Sequence, residues 1–416
     1  MDKTVTPGLL QGRVAAIASK SDAHRLLICA ALADAPTRLA ISTTSRDIEA
    51  TASCLRALGA KIVAREGELA VTPIAATLEE PLLDCSESGS TFRFLLPVAC
   101  AVSAKARFTG AGRLPERPIG ELMRAMRKQG VAFDAERLPF TTQGRLRPGR
   151  FELPGNVSSQ YVSGLLFALP ILAGDSEIAL TTPLESAPYV AMTLSSLARF
   201  GIKVQETQTG WRVPGGQRYR SPGGLAVEAD WSNAAFFLAA GAAGGPVTVA
   251  GLARDSVQGD KAVVDCLRAF GARVTVEGSA FTVRQAPLRA ITVDLREIPD
   301  ALPILAVLAT RAQGTTRFIH GERLRIKESD RLAAVADMLK NLGARVAETA
   351  DGLAIEGSPL AGGTVQGRND HRIVMAASIA ATFASGPVTI TDAQAVSKSY
   401  PGYWEDFELL GGIAHG

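Results

Sequence analysis

The chain has 416 residues, which at about 150 residues per domain predicts two or three domains. Apolar residues make up 47% and charged residues 20%, which excludes a disordered chain and a coiled coil. Lys and Arg number 44 against 41 Asp and Glu; the net charge of +3 excludes a strongly basic nucleic-acid coat, and 6% aromatics leave too few rings for a single-strand stacking platform.

The N-terminal MDKTVTPGLLQGRV has neither an apolar core nor an Arg/Ser-rich amphipathic start, so no signal or transit peptide is expected. The longest apolar runs, near 161–173 and 233–250, are broken by Gly and Pro and read as buried elements rather than membrane spans. The five cysteines form no CxxC pair and sit mostly in apolar surroundings, which predicts buried free thiols in a reducing, cytoplasmic setting. The four histidines are not at metal-ligand spacing with cysteines or carboxylates, so no structural zinc is expected.

Along the chain one phrase returns: LRALGAKI, MRKQGVAF, LARFGIKV, LRAFGARV, LKNLGARV and a truncated FELLGGIA. Its glycines, Gly59, Gly130, Gly201, Gly271, Gly343 and Gly411, are 71, 71, 70, 72 and 68 residues apart. Glycine suits the left-handed position that ends a helix, because it has no Cβ to clash there. The phrase closes an amphipathic stretch; Leu332, Val335, Leu339 and Leu342 fall on one helical face. Alternating segments broken by a Gly-containing turn follow, as in KIVAREGELAVT and RVTVEGSAFTVR, and predict hairpins.

A second signal runs out of phase at the same period. Ser21, Ser90, Ser159, Ser232, Asp300 and Asp370 each precede an almost wholly apolar helix and suit N-caps. Such a helix must be surrounded by protein. The chain therefore reads as six units of buried helix, strand, amphipathic helix and hairpin, dividing into two lobes of three. A helix N-terminus attracts anions, and cations stand at these starts: Lys20 and Arg25 flank Ser21, Arg93 follows Ser90, Arg372 follows Asp370, and Lys327 and Arg331 bracket RIKESDR. Arg117 and Lys398 lie in the loops GRLPERPIG and AVSKSYPGY. With the lobes facing, the six helix starts would share one cleft, and its ligands would carry several phosphates or carboxylates.

These fragments resemble the 5-enolpyruvylshikimate-3-phosphate (EPSP) synthase family, in order along the whole chain: SKSDAHR at 19–25, SGSTFRFL at 88–95, LPERPIG at 114–120, SSQYVSGLL at 158–166 and ESAPY at 185–189. ADWSNAAFFLAAGA at 229–242, IPDALP at 298–303, RIKESDR at 325–331, NDHRIVMA at 369–376 and SKSYPGYW at 397–404 complete the series. The resemblance implies an α/β, two-lobed inverse barrel of six βαβαββ repeats, three per lobe. Residues 1–17 with 228–416 would form one lobe and 18–227 the other, with the active site in the cleft between them. It implies transfer of the enolpyruvyl group of phosphoenolpyruvate to the 5-hydroxyl of shikimate 3-phosphate, by addition and elimination through a tetrahedral intermediate. It also implies a monomer without metal or organic cofactor, serving aromatic amino-acid biosynthesis.

Carried over residue by residue, the resemblance makes Asp300 the proton acceptor and Glu328 the proton-transfer residue, with Lys20 and Lys327 beside the reacting centre. Lys20, Ser21, Arg25, Ser158, Ser159, Gln160, Ser186, Tyr189, Asp300 and Lys327 would hold shikimate 3-phosphate; Lys20, Gly89, Arg117, Gln160, Arg331, Arg372 and Lys398 would hold phosphoenolpyruvate. His24, Glu87 and Arg323 depart from the family pattern, and residues 134–150 (DAERLPFTTQGRLRPGR) read as loop without an assigned function. The sister enzyme acting on UDP-N-acetylglucosamine typically carries a reactive Cys ahead of the Arg-Pro, and GAGRLPERP has none. A DNA-encircling clamp would need cations along exposed helix faces and no carboxylate at a buried helix start.

Overall fold

The repeat period seen in the sequence is a repeat of structure. The computed structural model describes Met1–Gly416. Its twelve α-helices alternate in kind: α1 (Lys20–Ala31) and α2 (Arg46–Ala57), α3 (Gly89–Val102) and α4 (Gly120–Lys128), α5 (Ser159–Ala168) and α6 (Ala187–Arg199), α7 (Trp231–Ala243) and α8 (Val263–Phe270), α9 (Leu302–Ala309) and α10 (Arg331–Asn341), and α11 (His371–Ala381) and α12 (Tyr403–Leu409). Odd-numbered helices are the apolar ones. Every residue of α9 and α11 is buried, and α7, α9 and α11 pack on one another in a core rich in Leu, Ile and Ala. Each large apolar side chain so buried contributes about 1.5–3 kcal/mol. Even-numbered helices bury one face; Leu332, Val335 and Leu339 of α10, with Leu342 at its C-cap, are fully covered.

All six glycines of the repeated phrase have positive φ, from +75° to +108°, and stop the even-numbered helices as the pattern predicts. A hairpin follows each of the first five. It joins a strand parallel to its outer neighbour, giving six four-stranded sheets of one design. The outer strand of each sheet is lent by another repeat. Strand 82–84 pairs in parallel with 105–109, 150–153 with 176–180, and 224–226 returns to 37–40, so three repeats close on themselves within residues 20–228. In the other unit, 292–294 pairs with 315–319, 363–365 with 388–390, and 12–15 with 247–250.

The truncated sixth repeat lacks one hairpin strand, and the N-terminus supplies it. Lys3–Thr6 runs antiparallel to both Val388–Ile390 and Ile413–His415. The chain accordingly separates into one unit of Met1–Ser19 with Ala229–Gly416 and another of Lys20–Glu228. No helix is long and apolar enough to cross a membrane.

Three details correct the sequence reading. The caps of α3, α5 and α7 are Ser88, Ser158 and Asp230, not Ser90, Ser159 and Ser232, because theirs are the oxygens that reach N–H groups two or three residues on. Lys20 opens α1 ahead of Ser21, and Asp300 lies in a one-turn helix, Pro299–Ala301, that leads into α9. Residues 134–150, read as loop, contain the strand Phe140–Gln143, whose Phe140 and Thr142 face inward in alternation. Asp370 caps α11 as expected, accepting from the Arg372 amide at 3.0 Å.

Candidate active site

Within the unit formed by Met1–Ser19 and Ala229–Gly416, four segments bring their charges together. Asp300 comes from the turn before α9, Lys327 and Glu328 from the loop before α10, Arg331 from the first residue of α10, and Asp370 and Arg372 from the start of α11. Arg331 is the hub. Its Nη1 donates to Asp300 Oδ1 at 2.7 Å, its Nη2 to Glu328 Oε2 at 2.5 Å, and its Nε to Asp370 Oδ2 at 2.9 Å. Arg372 Nη2 lies 3.3 Å from Asp300 Oδ2, and Lys327 Nζ 3.5 Å from Asp300 Oδ1. Lys398 Nζ donates to the Asn369 carbonyl at 2.5 Å, beside this cluster in sequence and space.

Three carboxylates thus face three cations with Arg331 and Asp370 almost wholly buried. Burial pushes the Asp300 carboxyl up, but Arg372, Lys327 and Arg331 outweigh it and hold Asp300 well below the usual carboxylate range. Burial likewise opposes charge on Asp370, and Arg331 overcomes it. Arg331 itself is kept firmly protonated: burial disfavours its charge, and Asp370, Glu328 and Asp300 more than compensate. A buried ion network of this kind is costly unless its hydrogen bonds are satisfied; Ser329 Oγ helps by donating to Asp370 Oδ2 at 2.9 Å.

The unit of Lys20–Glu228 gathers the other cations. Lys20, first residue of α1, is paired with Asp47 Oδ2 at 2.9 Å. Arg25, one turn further on, is locked by three neutral oxygens: Thr193 Oγ1 at 2.9 Å, the Ser21 carbonyl at 2.6 Å and the Tyr189 carbonyl at 2.8 Å. Burial pulls its pKa down to about 10, which leaves it a cation at neutral pH. Ser158 caps α5, Ser159 and Gln160 begin it, and Gln160 is clamped between Arg93 Nη1 at 3.0 Å and Ser90 Oγ at 2.9 Å. Ser186 holds a left-handed φ of 56° at the start of α6, the kind of constrained backbone that collects at functional sites. Gly89 opens α3 against Arg117, whose Nε is buried without a hydrogen-bond partner. An unsatisfied buried guanidinium nitrogen calls for an anion.

Each unit therefore brings its own share of the sequence-selected residues into one neighbourhood. The sequence reading passed over the carboxylates that hold them, Asp47 and, beyond its capping role, Asp370, and gave Arg93 no specific task. Arg93 had a signal, as the only cation in the apolar start of α3; the carboxylates had none, because their partners come from other elements. Of the departures, His24 is buried, and Arg323 Nη2 bonds the Arg296 carbonyl at 3.0 Å. No group of three or more His, Cys, Asp or Glu side chains is arranged to hold a metal ion.

A family model described as EPSP synthase (3-phosphoshikimate 1-carboxyvinyltransferase) matches residues 5–407. The chain is 40% identical to the 3-phosphoshikimate 1-carboxyvinyltransferase of Clostridium novyi over 98% of its length and 97% of that protein. It is also 40% identical to the enzyme of the same name from Clostridium acetobutylicum, over 99% and 97% of the two. Among solved structures, the EPSP synthase of Acinetobacter baumannii superimposes with a TM-score of 0.83 at 25% identity, covering all of both chains.

Proposed function

The chain belongs to the EPSP synthase family and carries its reaction, transfer of an enolpyruvyl group in the shikimate pathway, and we propose that the two sets of residues described above divide the work of that reaction. The substrates are phosphoenolpyruvate and shikimate 3-phosphate. The enolpyruvyl group moves to the 5-hydroxyl through a tetrahedral intermediate, and phosphate leaves.

In this reading Arg25, Ser21, Ser158, Ser159, Gln160, Ser186 and Tyr189 hold shikimate 3-phosphate; Arg25 supplies a cation that neutral oxygens have already oriented. Lys20, Gly89, Arg117, Gln160, Arg331, Arg372 and Lys398 hold phosphoenolpyruvate. Asp300 takes the proton of the attacking hydroxyl. Glu328, with Lys20 and Lys327 beside the reacting centre, handles the proton at the methylene carbon.

The observation that carries the reading is Asp300, a carboxylate at the head of an apolar helix with three cations on it. While Arg331, Arg372 and Lys327 grip it, it is a weak base. Phosphate and carboxylate groups of the substrates compete for those cations, and Asp300 regains basicity only when both the hydroxyl and its reaction partner are bound. The four buried thiols and unpaired Cys266 fit a reducing compartment, and the reading places a monomeric enzyme in the cytoplasm. Phosphate release measured with both substrates, and with each omitted in turn, tests it. Release is expected only with both; release that follows UDP-N-acetylglucosamine instead would overturn the assignment.

A further inference from the structure

A line of four side chains crosses three helices in the Lys20–Glu228 unit without exposing a polar atom. His24 Nδ1 lies 2.6 Å from Thr51 Oγ1, Thr51 Oγ1 lies 2.6 Å from Thr91 Oγ1, and Thr91 Oγ1 donates to Ser88 Oγ at 2.7 Å. His24, Thr51 and Thr91 are 0% exposed and Ser88 1%. The line starts on α1 one turn after Lys20, passes through α2 one turn after Asp47, and ends at the N-cap of α3, the residue before Gly89.

Counting hydrogens fixes its direction. A hydroxyl has one hydrogen to donate. Thr91 gives its hydrogen to Ser88 at 2.7 Å, with the Asp47 carbonyl a longer second acceptor at 3.4 Å; with either acceptor it has none left for Thr51, so at the next contact Thr51 must donate to Thr91. Thr51 has then spent its own, so at the first contact His24 must donate. His24 is therefore the tautomer with hydrogen on Nδ1 and a bare Nε2. The surroundings agree: Nε2 has no partner in the structure, and a buried lone pair without a donor is tolerated better than a buried N–H without an acceptor. Burial, with Lys20 and Arg25 close by, keeps the ring neutral, so the single ring hydrogen stays where the line needs it.

We propose that His24 is a positioning residue, which acts through Thr51 and Thr91 to orient Ser88 and with it the Gly89 backbone. Ser88 Oγ accepts twice, from the Thr91 hydroxyl and from the Thr91 amide at 3.2 Å. Both bonds hold the first turn of α3 in place, where the backbone of Gly89 lies against Arg117. Removing the donor at the far end lets Thr51 turn its hydrogen toward the empty place, and each later link loses its fixed sense. The kinetic consequence rests on Gly89 and Arg117 serving phosphoenolpyruvate; the tautomer does not.

Two measurements test this. In protein labelled with ¹⁵N histidine, His24 should show a protonated Nδ1 and a bare Nε2; a proton on Nε2 overturns the proposal whatever the enzyme does. Thr51→Val keeps the shape and breaks the line. It should raise KM for phosphoenolpyruvate about tenfold, the loss of roughly one buried hydrogen bond, with KM for shikimate 3-phosphate unchanged. His24→Leu should do the same without adding to Thr51→Val, and His24→Asn, whose side-chain amide can donate in the same place, should restore the wild-type value. Equal rises in both KM values, or none, would mean that the line serves stability alone. If wild-type protein released no phosphate, the assigned reaction would fall and the tautomer would still decide the proposal.

Discussion

The α-carbon of Gly89 lies against the guanidinium of Arg117, so close that an added Cβ would sit 2.8 Å from Cζ. Arg117 is 9% exposed and cannot swing away without leaving its buried seat. Gly89→Ala is therefore expected to displace Arg117 rather than unfold α3, whose N-cap Ser88 is untouched. KM for phosphoenolpyruvate should rise about ten- to a hundredfold, the equivalent of about one charge-assisted hydrogen bond, while the thermal midpoint moves little. Steady-state kinetics with each substrate varied in turn gives the answer.

Asp300 and Asp370 share Arg331 but should respond differently to mutation. Asp300 is partly open to solvent and Asp370 is not. Asp370→Ala strips Arg331 of the most deeply buried of its three carboxylates and α11 of its cap, and should cost about 3 kcal/mol of stability. Asp300→Ala should leave the protein folded and cut turnover by about a thousandfold or more, as for loss of a proton acceptor with its electrostatic role. Urea denaturation and turnover measured on both variants separate the two roles; near-normal turnover in Asp300→Ala removes it from the chemistry.

Lys20→Met should likewise cut turnover by orders of magnitude, while Asp47 loses only a partly exposed partner. Circular dichroism is expected to match wild type. A variant with wild-type turnover would take Lys20 out of the active site.

Stability should fall as pH drops below the histidine range, and His24 should be one cause. Its folded pKa lies well below the ordinary histidine value of about 6.5, because burial, Lys20 and Arg25 oppose its charge. Below the unfolded pKa the unfolded chain binds a proton that the folded chain refuses, so stability decreases with falling pH, by at most about 1.4 kcal/mol per pH unit for this one group. Above the unfolded pKa the effect vanishes. Asp300 works at the other end. Its lowered pKa contributes stability that is complete above the unfolded carboxylate range and is lost only as pH falls through its folded value. Urea midpoints of wild type and His24→Asn between pH 5 and pH 7.5 should converge at the upper end and diverge at the lower.

Much of this architecture can be read in the residues because a 70-residue repeat states each feature six times. The glycines at 59, 130, 201, 271, 343 and 411 all stop helices, and the apolar helices are all buried. Caps were less legible: in SGS and DWS two side chains could reach the same amides, and only the local backbone decides between them. The carboxylates that hold the cations were not legible at all. Asp47 meets Lys20 across 27 residues and Asp370 meets Arg331 across 39, from separate helices, so no local spacing records either pair. The line from His24 to Ser88 was hidden for the same reason.

The strand Lys3–Thr6 has its neighbours at 388–390 and 413–415. During synthesis it precedes residues 20–228, yet both segments that flank it follow them. Residues 20–228 contain every strand of their own three sheets and can fold while translation continues, at about 5–20 residues per second. The other unit waits for residues 388–390 and 413–415, with Lys3–Thr6 unpaired until they arrive, so a chain stopped before residue 413 would leave a finished half joined to an unfinished one.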